Sequence, residues 1–303
     1  MLLLLFPLAA AETVRVFGQP KSGTTWCEVI TETIVAETLN RNMSRSRETR
    51  QVNYNDVRVE FQPEGSKHGL PGGHKVGSRP FDDKIISVER YYDKLLRPCI
   101  ESRFPIWSSD CVPEAAMGAL GPHRYVLIVR DPRSVAVSSY HYFDDLRERW
   151  KLGDYCLDAT PKIAALTSLR YYWHDELVRK TNPSLVLFYE DVLNDPVNQI
   201  YRIATFLRLH PDMSTMLRVV DATSASAMRR DEARLTLPGR NRPGKESAKV
   251  RTASADAFRT ELADPQLVDN ITRAMAPFLH PALRAKYIAS CSVDPAPWCD
   301  ATY

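Results

Sequence analysis

The sequence predicts a single α/β domain: a central, mostly parallel sheet with helices on both faces, in three layers. Four short apolar runs, at residues 14–17, 57–61, 125–129 and 185–189, are rich in Val, Ile, Leu, Phe and Tyr and are bounded by Gly, Pro, Asn or Asp. Strands buried on both faces have that composition. Between them the apolar spacing is helical, over residues 25–39, 132–142, 163–179 and 196–207. Alternating strands and helices build parallel crossovers and a doubly wound sheet.

Taken in order, the chain opens with MLLLLFPLAAA at residues 1–11. This run is too short to span a bilayer. It suits the core of a signal peptide ending in small residues, a truncated anchor segment, or an apolar first strand. The first strand and helix follow at once. Residues 62–113 are rich in Pro, Gly and charge and read as an irregular excursion, with one extra strand expected at 85–88. Residues 221–256 carry Ser, Ala, Arg and Lys with little periodicity, which predicts a long mobile loop of the functional kind. A last helix is expected at 265–278. The domain is taken as residues 12–290, with 291–303 as a tail.

The composition excludes several classes. Of the 303 residues 44% are hydrophobic and 25% charged, so neither disorder nor collagen-like repetition is in question. Lys and Arg number 40 against 37 Asp and Glu, a net +3 too mild for a nucleic-acid-binding surface. Cys27, Cys99, Cys111, Cys156, Cys291 and Cys299 form no CxxC pair and no zinc-ligand spacing. Cys99/Cys111 and Cys291/Cys299 are spaced to close short loops in an oxidising lumen, or to be ordinary thiols in cytosol. With sequons at Asn42 and Asn270, these features lean toward the secretory pathway or Golgi lumen, with the cytoplasm as the alternative. Arg41, Arg45, Arg47 and Arg50 read as a solvated charge run, with docking of an acidic glycan as the other option.

Chemistry concentrates in Gly18-Gln19-Pro20-Lys21-Ser22-Gly23-Thr24-Thr25-Trp26, between the first strand and the first helix. A loop of backbone N–H groups ending on a helix N-terminus holds a phosphate there. The glycine spacing nearly matches the ATP/GTP loop, but Thr24 stands where that loop carries its lysine, and the lysine has moved inside, to Lys21. A lysine inside the loop reaches a bridging oxygen without clamping a terminal phosphate, which argues against a kinase or NTPase. Nor does an aspartate plainly suited to magnesium end a strand, since Asp131 follows Arg130. Sulfuryl transfer, in which the moving group is a monoanion, needs less charge neutralisation than phosphoryl transfer, so no metal is expected.

The segment Pro20–Trp26 resembles the 5′-phosphosulfate loop of sulfotransferases that use 3′-phosphoadenosine 5′-phosphosulfate (PAPS). Two further segments share the resemblance. Residues 129–141 (VRDPRSVAVSSYH) are similar to the 3′-phosphate motif, a strand end carrying Arg130 followed on a helix by Ser138. Residues 187–196 (LFYEDVLNDP) are similar to the segment whose tyrosine, here Tyr189, lies near the adenine. A guanidinium fork and a hydroxyl suit one phosphate dianion.

The resemblance implies a PAPS-dependent O-sulfotransferase with PAPS as donor and a hydroxyl acceptor on a glycan or small molecule. It implies Lys21 in catalysis and Lys21, Ser22, Gly23, Thr24, Thr25, Trp26, Arg130, Ser138 and Tyr189 at the cofactor. The closing loop of relatives is similar to residues 240–245 (RNRPGK), which nominates Arg242 and Gly244, with Lys245 and Arg251 as alternates. For the general base, residues 67–71 (KHGLP) nominate His68; Glu89, after the expected extra strand, is the reserve. His141 reads as packed or structural and His74 as a loop residue. A sulfotransferase-like protein that holds the nucleotide but lacks a base is the alternative.

Overall fold

The strand Arg124–Val129 is buried along its whole length. It therefore lies inside a sheet covered on both faces, and the apolar run RYVLIV supplies both coverings. The computed structural model describes residues 12–19, 21–38, 43–45, 52–54, 86–90, 123–233 and 253–288.

Along the chain, β1 (Glu12–Gly18) leads to α1 (Thr24–Thr38), then β2 (Met43–Arg45), β3 (Val52–Tyr54), β4 (Ile86–Arg90) and β5 (Arg124–Val129). Next come α2 (Pro132–Tyr142), α3 (Asp144–Arg149) and α4 (Leu152–Tyr172), the last continued by a π-helical turn at Trp173–Val178 and a short helical end at Arg179–Thr181. Then follow β6 (Ser184–Phe188), α5 (Tyr189–Asn194), α6 (Pro196–Phe206), α7 (Met213–Ala222) and α8 (Ala225–Ala233). The last described elements are α9 (Ala257–Glu261), α10 (Pro265–Met275) and α11 (Pro281–Tyr287).

The main sheet has the order β4-β1-β5-β6, every neighbouring pair parallel, while β2 and β3 form a separate antiparallel pair. Strand alternation divides the core. Val14, Val16, Val126, Ile128 and Leu187 pack toward α1, α6 and α7. Phe17, Tyr125, Leu127 and Val129 pack toward Leu169 of α4, Trp173 of the π-helical turn, and Met275, Leu279 and Leu283 near the end of the described chain. These are the three expected layers. Because β4 and β5 flank β1 on opposite sides, the strand order reverses between β1 and β5, and open α/β sheets take their ligands at the carboxyl ends of strands at such a point.

Several helices start on a local signal. Asp131, Asp195 and Asp264 each precede a proline, and each accepts a bond from a first-turn N–H, that of Arg133, Asn198 and Gln266 respectively. An aspartate at the cap followed by proline at the first helical position is a matched pair.

The structure corrects three expectations. The helix expected at 163–179 begins at Leu152 and runs through Pro161. An internal proline costs a helix about 3 kcal/mol, offset here by burial of Cys156, Ala159 and Ile163 against Val135 and Val137 of α2. Residues 221–256 are not one loop: α7 ends within them at Ala222, and α8 follows at Ala225–Ala233. Met228 of α8 and Val29 of α1 pack together, which accounts for order that the polar composition hid. Tyr189 starts α5 where it was expected to end a strand. The extra strand expected at 85–88 is β4, paired with β1; the strand expected at 57–61 lies outside the described residues. No helix among the described residues is long and apolar enough to cross a membrane.

Candidate active site

Gly18 ends β1 so close to β5 that an added Cβ would stand 2.5 Å from the Ile128 carbonyl oxygen and 2.7 Å from Ser22 Oγ. The loop then tightens through a bond from the Ser22 N–H to the Gln19 carbonyl at 2.9 Å. Two left-handed residues, Lys21 at φ 71° and Gly23 at φ 98°, turn the chain into α1. A side chain at Gly23 would meet the Tyr189 ring at 2.6 Å, so glycine is required by both backbone and space. The first turn of α1 holds no acidic residue, which leaves the positive end of the helix for an anion.

Arg130 closes the arrangement from the end of β5. Its Nη1 donates to the Lys21 carbonyl and its Nη2 to the Ser254 carbonyl, both at 3.1 Å. The guanidinium carbon lies 4.2 Å from the centre of the Tyr189 ring. Trp26 meets the same ring edge-on at 5.4 Å and donates its indole N–H to the Thr223 carbonyl at 2.8 Å. The Lys21 ammonium sits 3.6 Å from the centre of the Tyr142 ring. Ser138 lies partly buried on α2, one helical turn before Tyr142.

The acidic groups have other duties. Asp131 caps α2 and receives the Arg133 side chain through Nε and Nη2, the shortest contact being 2.6 Å. Its oxygens are thereby engaged, which makes it a poor metal ligand. Among the described residues no group of three or more His, Cys, Asp or Glu is arranged to hold a metal ion. Glu190 accepts from the Asp131 N–H at 2.9 Å and from the Tyr287 hydroxyl at 3.3 Å. Burial pushes its carboxyl up to about 7, against the smaller lowering effect of its backbone hydrogen bonds.

Lys21, Ser22, Gly23, Arg130 and Tyr189 are thus brought together, Thr24 and Thr25 open α1, and Trp26 packs behind. His68, Arg242, Gly244, Lys245 and Arg251 lie outside the described residues, as does His74. Glu89 falls within β4, opposite Arg15 of β1. His141 pairs with Glu261 at 2.6 Å, joining α2 to α9, in keeping with a packed role. Cys27 and Cys156 are buried free thiols, both pushed up to about 12 chiefly by burial; the other four cysteines lie outside the described residues.

Two residues at the site escaped the sequence reading. Arg170 donates to the side chain of Gln19 and so supports the loop from α4; a buried arginine in an apolar helical stripe was its only signal. Tyr142 was legible only through its spacing from Ser138 on one helix face.

Does PAPS fit? Ser22 Oγ and Arg130 Nε are buried and have no hydrogen-bond partner among the described residues, and both lie where β1 and β5 end. A hydroxyl and a guanidinium N–H with spare capacity are the donors that a bisphosphate requires.

Fold and site together define an α/β protein with a lysine-bearing loop and a ring-stacked arginine at the switch between β1 and β5. The chain belongs to the sulfotransferase domain family, whose model matches residues 12–277. It is 24% identical over 224 residues to sulfotransferase 1A1 of Bos taurus, a match that takes in 70% of this chain and 64% of the relative. The match therefore spans less than two thirds of that relative's length. A crystal structure of mouse sulfotransferase SULT7A1 complexed with PAP superposes with a TM-score of 0.50 at 16% identity, covering 92% of this chain and 88% of that one. At that identity the likeness establishes the fold. Retinol dehydratase complexed with retinol and PAP is also similar, with a TM-score of 0.48 and 17% identity over 96% of this chain and 83% of that one.

Proposed function

We propose that this protein transfers a sulfuryl group from PAPS to an acceptor hydroxyl on a glycan or small molecule. The observation that carries the reading is the meeting of Lys21, Ser22 and Arg130 where β1 and β5 end, two of them with buried donors to spare. PAPS supplies the sulfuryl group and a 3′,5′-bisphosphate leaving group. Lys21 stands ready as a fixed cation for charge that grows on the bridging oxygen, a preorganised contribution often worth several kcal/mol. Ser22 and the N-terminal amides of α1 hold the 5′ end. Arg130 and Ser138 hold the 3′-phosphate, the arginine through donors already aimed by its bonds to Lys21 and Ser254. Arg242 and Gly244 are assigned to the same phosphate; in support, residues ten and more positions further along reach the site, the Ala255 carbonyl accepting from Ser134 at 3.1 Å and the Ser254 carbonyl from Arg130.

His68 or Glu89 removes the acceptor proton. Support for Glu89 comes from register: β4 runs parallel to β1, so its C-terminal end, with Arg90 beside Val16, lies toward the edge that carries the phosphate loop. A positioned base contributes about 10²–10⁴ in rate. His68→Ala and Glu89→Gln are therefore compared by turnover and pH–rate profile. The variant that loses the ascending limb identifies the base, and a limb near pH 6.5 favours histidine. If both variants keep normal rates, neither residue is the base.

The test of the whole reading begins with thermal shift. Adenosine 3′,5′-bisphosphate should raise the melting temperature equally with and without EDTA, and ATP with magnesium should not. Transfer of labelled sulfate from PAPS to a panel of glycans, phenols, sterols and peptides should then succeed for at least one acceptor. Binding without transfer to any acceptor would support the nucleotide-holding alternative instead. A secretory location is proposed as well, with glycosylation at Asn42 or Asn270 in expressing cells as its readout.

A further inference from the structure

The Lys21 ammonium lies 3.6 Å from the centre of the Tyr142 ring, inside the range of a cation–π contact. The rest of Lys21 is fixed independently. Its backbone is left-handed at φ 71°, and its carbonyl accepts from Arg130. With backbone and carbonyl set, the remaining freedom is the four-carbon stem, and the ring restrains where the stem ends. Tyr142 is the last residue of α2 and shares a helix face with Ser138. One face of α2 thus serves both ends of the proposed donor site: Ser138 toward the 3′-phosphate, Tyr142 toward the lysine of the phosphate loop.

We propose that Tyr142 is a positioning residue for Lys21, its ring holding the ammonium charged and in place at the phosphate loop before the donor binds. The proposal rests on the sulfuryl-transfer reading above, and two measurements separate its fate from that reading. The first needs no turnover. In the nucleotide-free protein, acetylation of Lys21 by acetic anhydride is followed by mass spectrometry. A ring that stabilises the charged amine suppresses this reaction, so Tyr142→Leu should speed it by about 3-fold or more, the scale of an exposed cation–π contact. Tyr142→Phe, which keeps the ring, should leave it unchanged. Tyr142→Gln repeats the comparison should the leucine variant misfold.

The second measurement is kinetic. With PAPS and any accepted hydroxyl, Tyr142→Leu should lower kcat about tenfold, with the KM of the acceptor moving less than threefold, and Tyr142→Phe should restore the rate. In a Lys21→Ala background Tyr142→Leu should cost nothing further, because coupled residues are non-additive. Equal losses with and without Lys21 would overturn the proposal and make the ring an acceptor or packing contact. Unchanged acetylation in Tyr142→Leu would overturn it as well. A wild type that transfers no sulfate refutes the functional reading, and the acetylation rates still decide whether Tyr142 seats Lys21.

Discussion

Replacing Arg130 by lysine keeps a positive charge at the end of β5 but reduces a forked donor to a single nitrogen. In the structure the arginine is 6% exposed and uses both terminal nitrogens on the carbonyls of Lys21 and Ser254. Nε has no partner among the described residues. A lysine ammonium cannot serve two carbonyls and a phosphate from one compact point. A hydrogen bond involving a charged group contributes about 1.5–3 kcal/mol, equivalent to roughly 10- to 150-fold in affinity. Isothermal titration with adenosine 3′,5′-bisphosphate and with adenosine 5′-phosphate isolates the 3′-phosphate. Wild type should prefer the bisphosphate strongly, and Arg130→Lys should reduce that preference by the stated factor, while affinity for the monophosphate changes less than about threefold. A folded Arg130→Lys variant with unchanged preference would show that Arg130 does not touch the 3′-phosphate, and the assignment of the site's two ends would be wrong.

Other outcomes test the neighbouring residues. Lys21→Ala should fold and still bind the bisphosphate, yet lose at least about tenfold in turnover, or 1.4 kcal/mol; a rate above a tenth of wild type removes Lys21 from the chemistry. Gly23→Ala puts a methyl 2.6 Å from the Tyr189 ring at φ 98°, and strain of that kind costs about 1–3 kcal/mol. Urea unfolding should show that loss, and an unchanged midpoint would contradict the loop geometry. Glu190, raised from 4.5 to about 7 chiefly by burial, keeps its proton in the folded state where the unfolded chain has released it. Its contribution to stability is therefore full below about pH 4.5 and lost as pH rises through about 7. In Glu190→Gln the unfolding free energy should no longer carry that decline between pH 4.5 and 7.5; parallel curves for wild type and variant would rule it out.

Much of this was written locally. The apolar runs that became β1, β5 and β6 have strand length and Gly, Pro or Asn punctuation, and α2, α6 and α10 each start at an Asp-Pro pair that caps on its own. The phosphate loop was legible because its two glycines and internal lysine answer steric demands made within a few residues. What failed to show was helical order stabilised from a distance. Pro161 reads as a helix break until Cys156 and Ala159 are buried against α2. The polar, arginine-bearing stretch of α8 reads as loop until Met228 meets Val29.

The sequence by itself determined most of the strands and helices and the chemical inventory of the site: a glycine-framed lysine loop, an arginine following a strand, and a tyrosine read as a strand end that the structure places at a helix start. Tertiary structure alone decided their assembly. The sheet order β4-β1-β5-β6 brings Arg130 to the carbonyl of Lys21 across 109 residues. It slides Tyr189 beneath Gly23 and Arg130 and sets the Tyr142 ring against the lysine ammonium. It also encloses Glu190 between Asp131 and Tyr287, so that burial pushes its carboxyl up to about 7. The physical reason is one of range. Turn sterics and helix caps act over a few neighbouring residues, whereas strand order, stacking and desolvation depend on which surfaces the whole chain buries together.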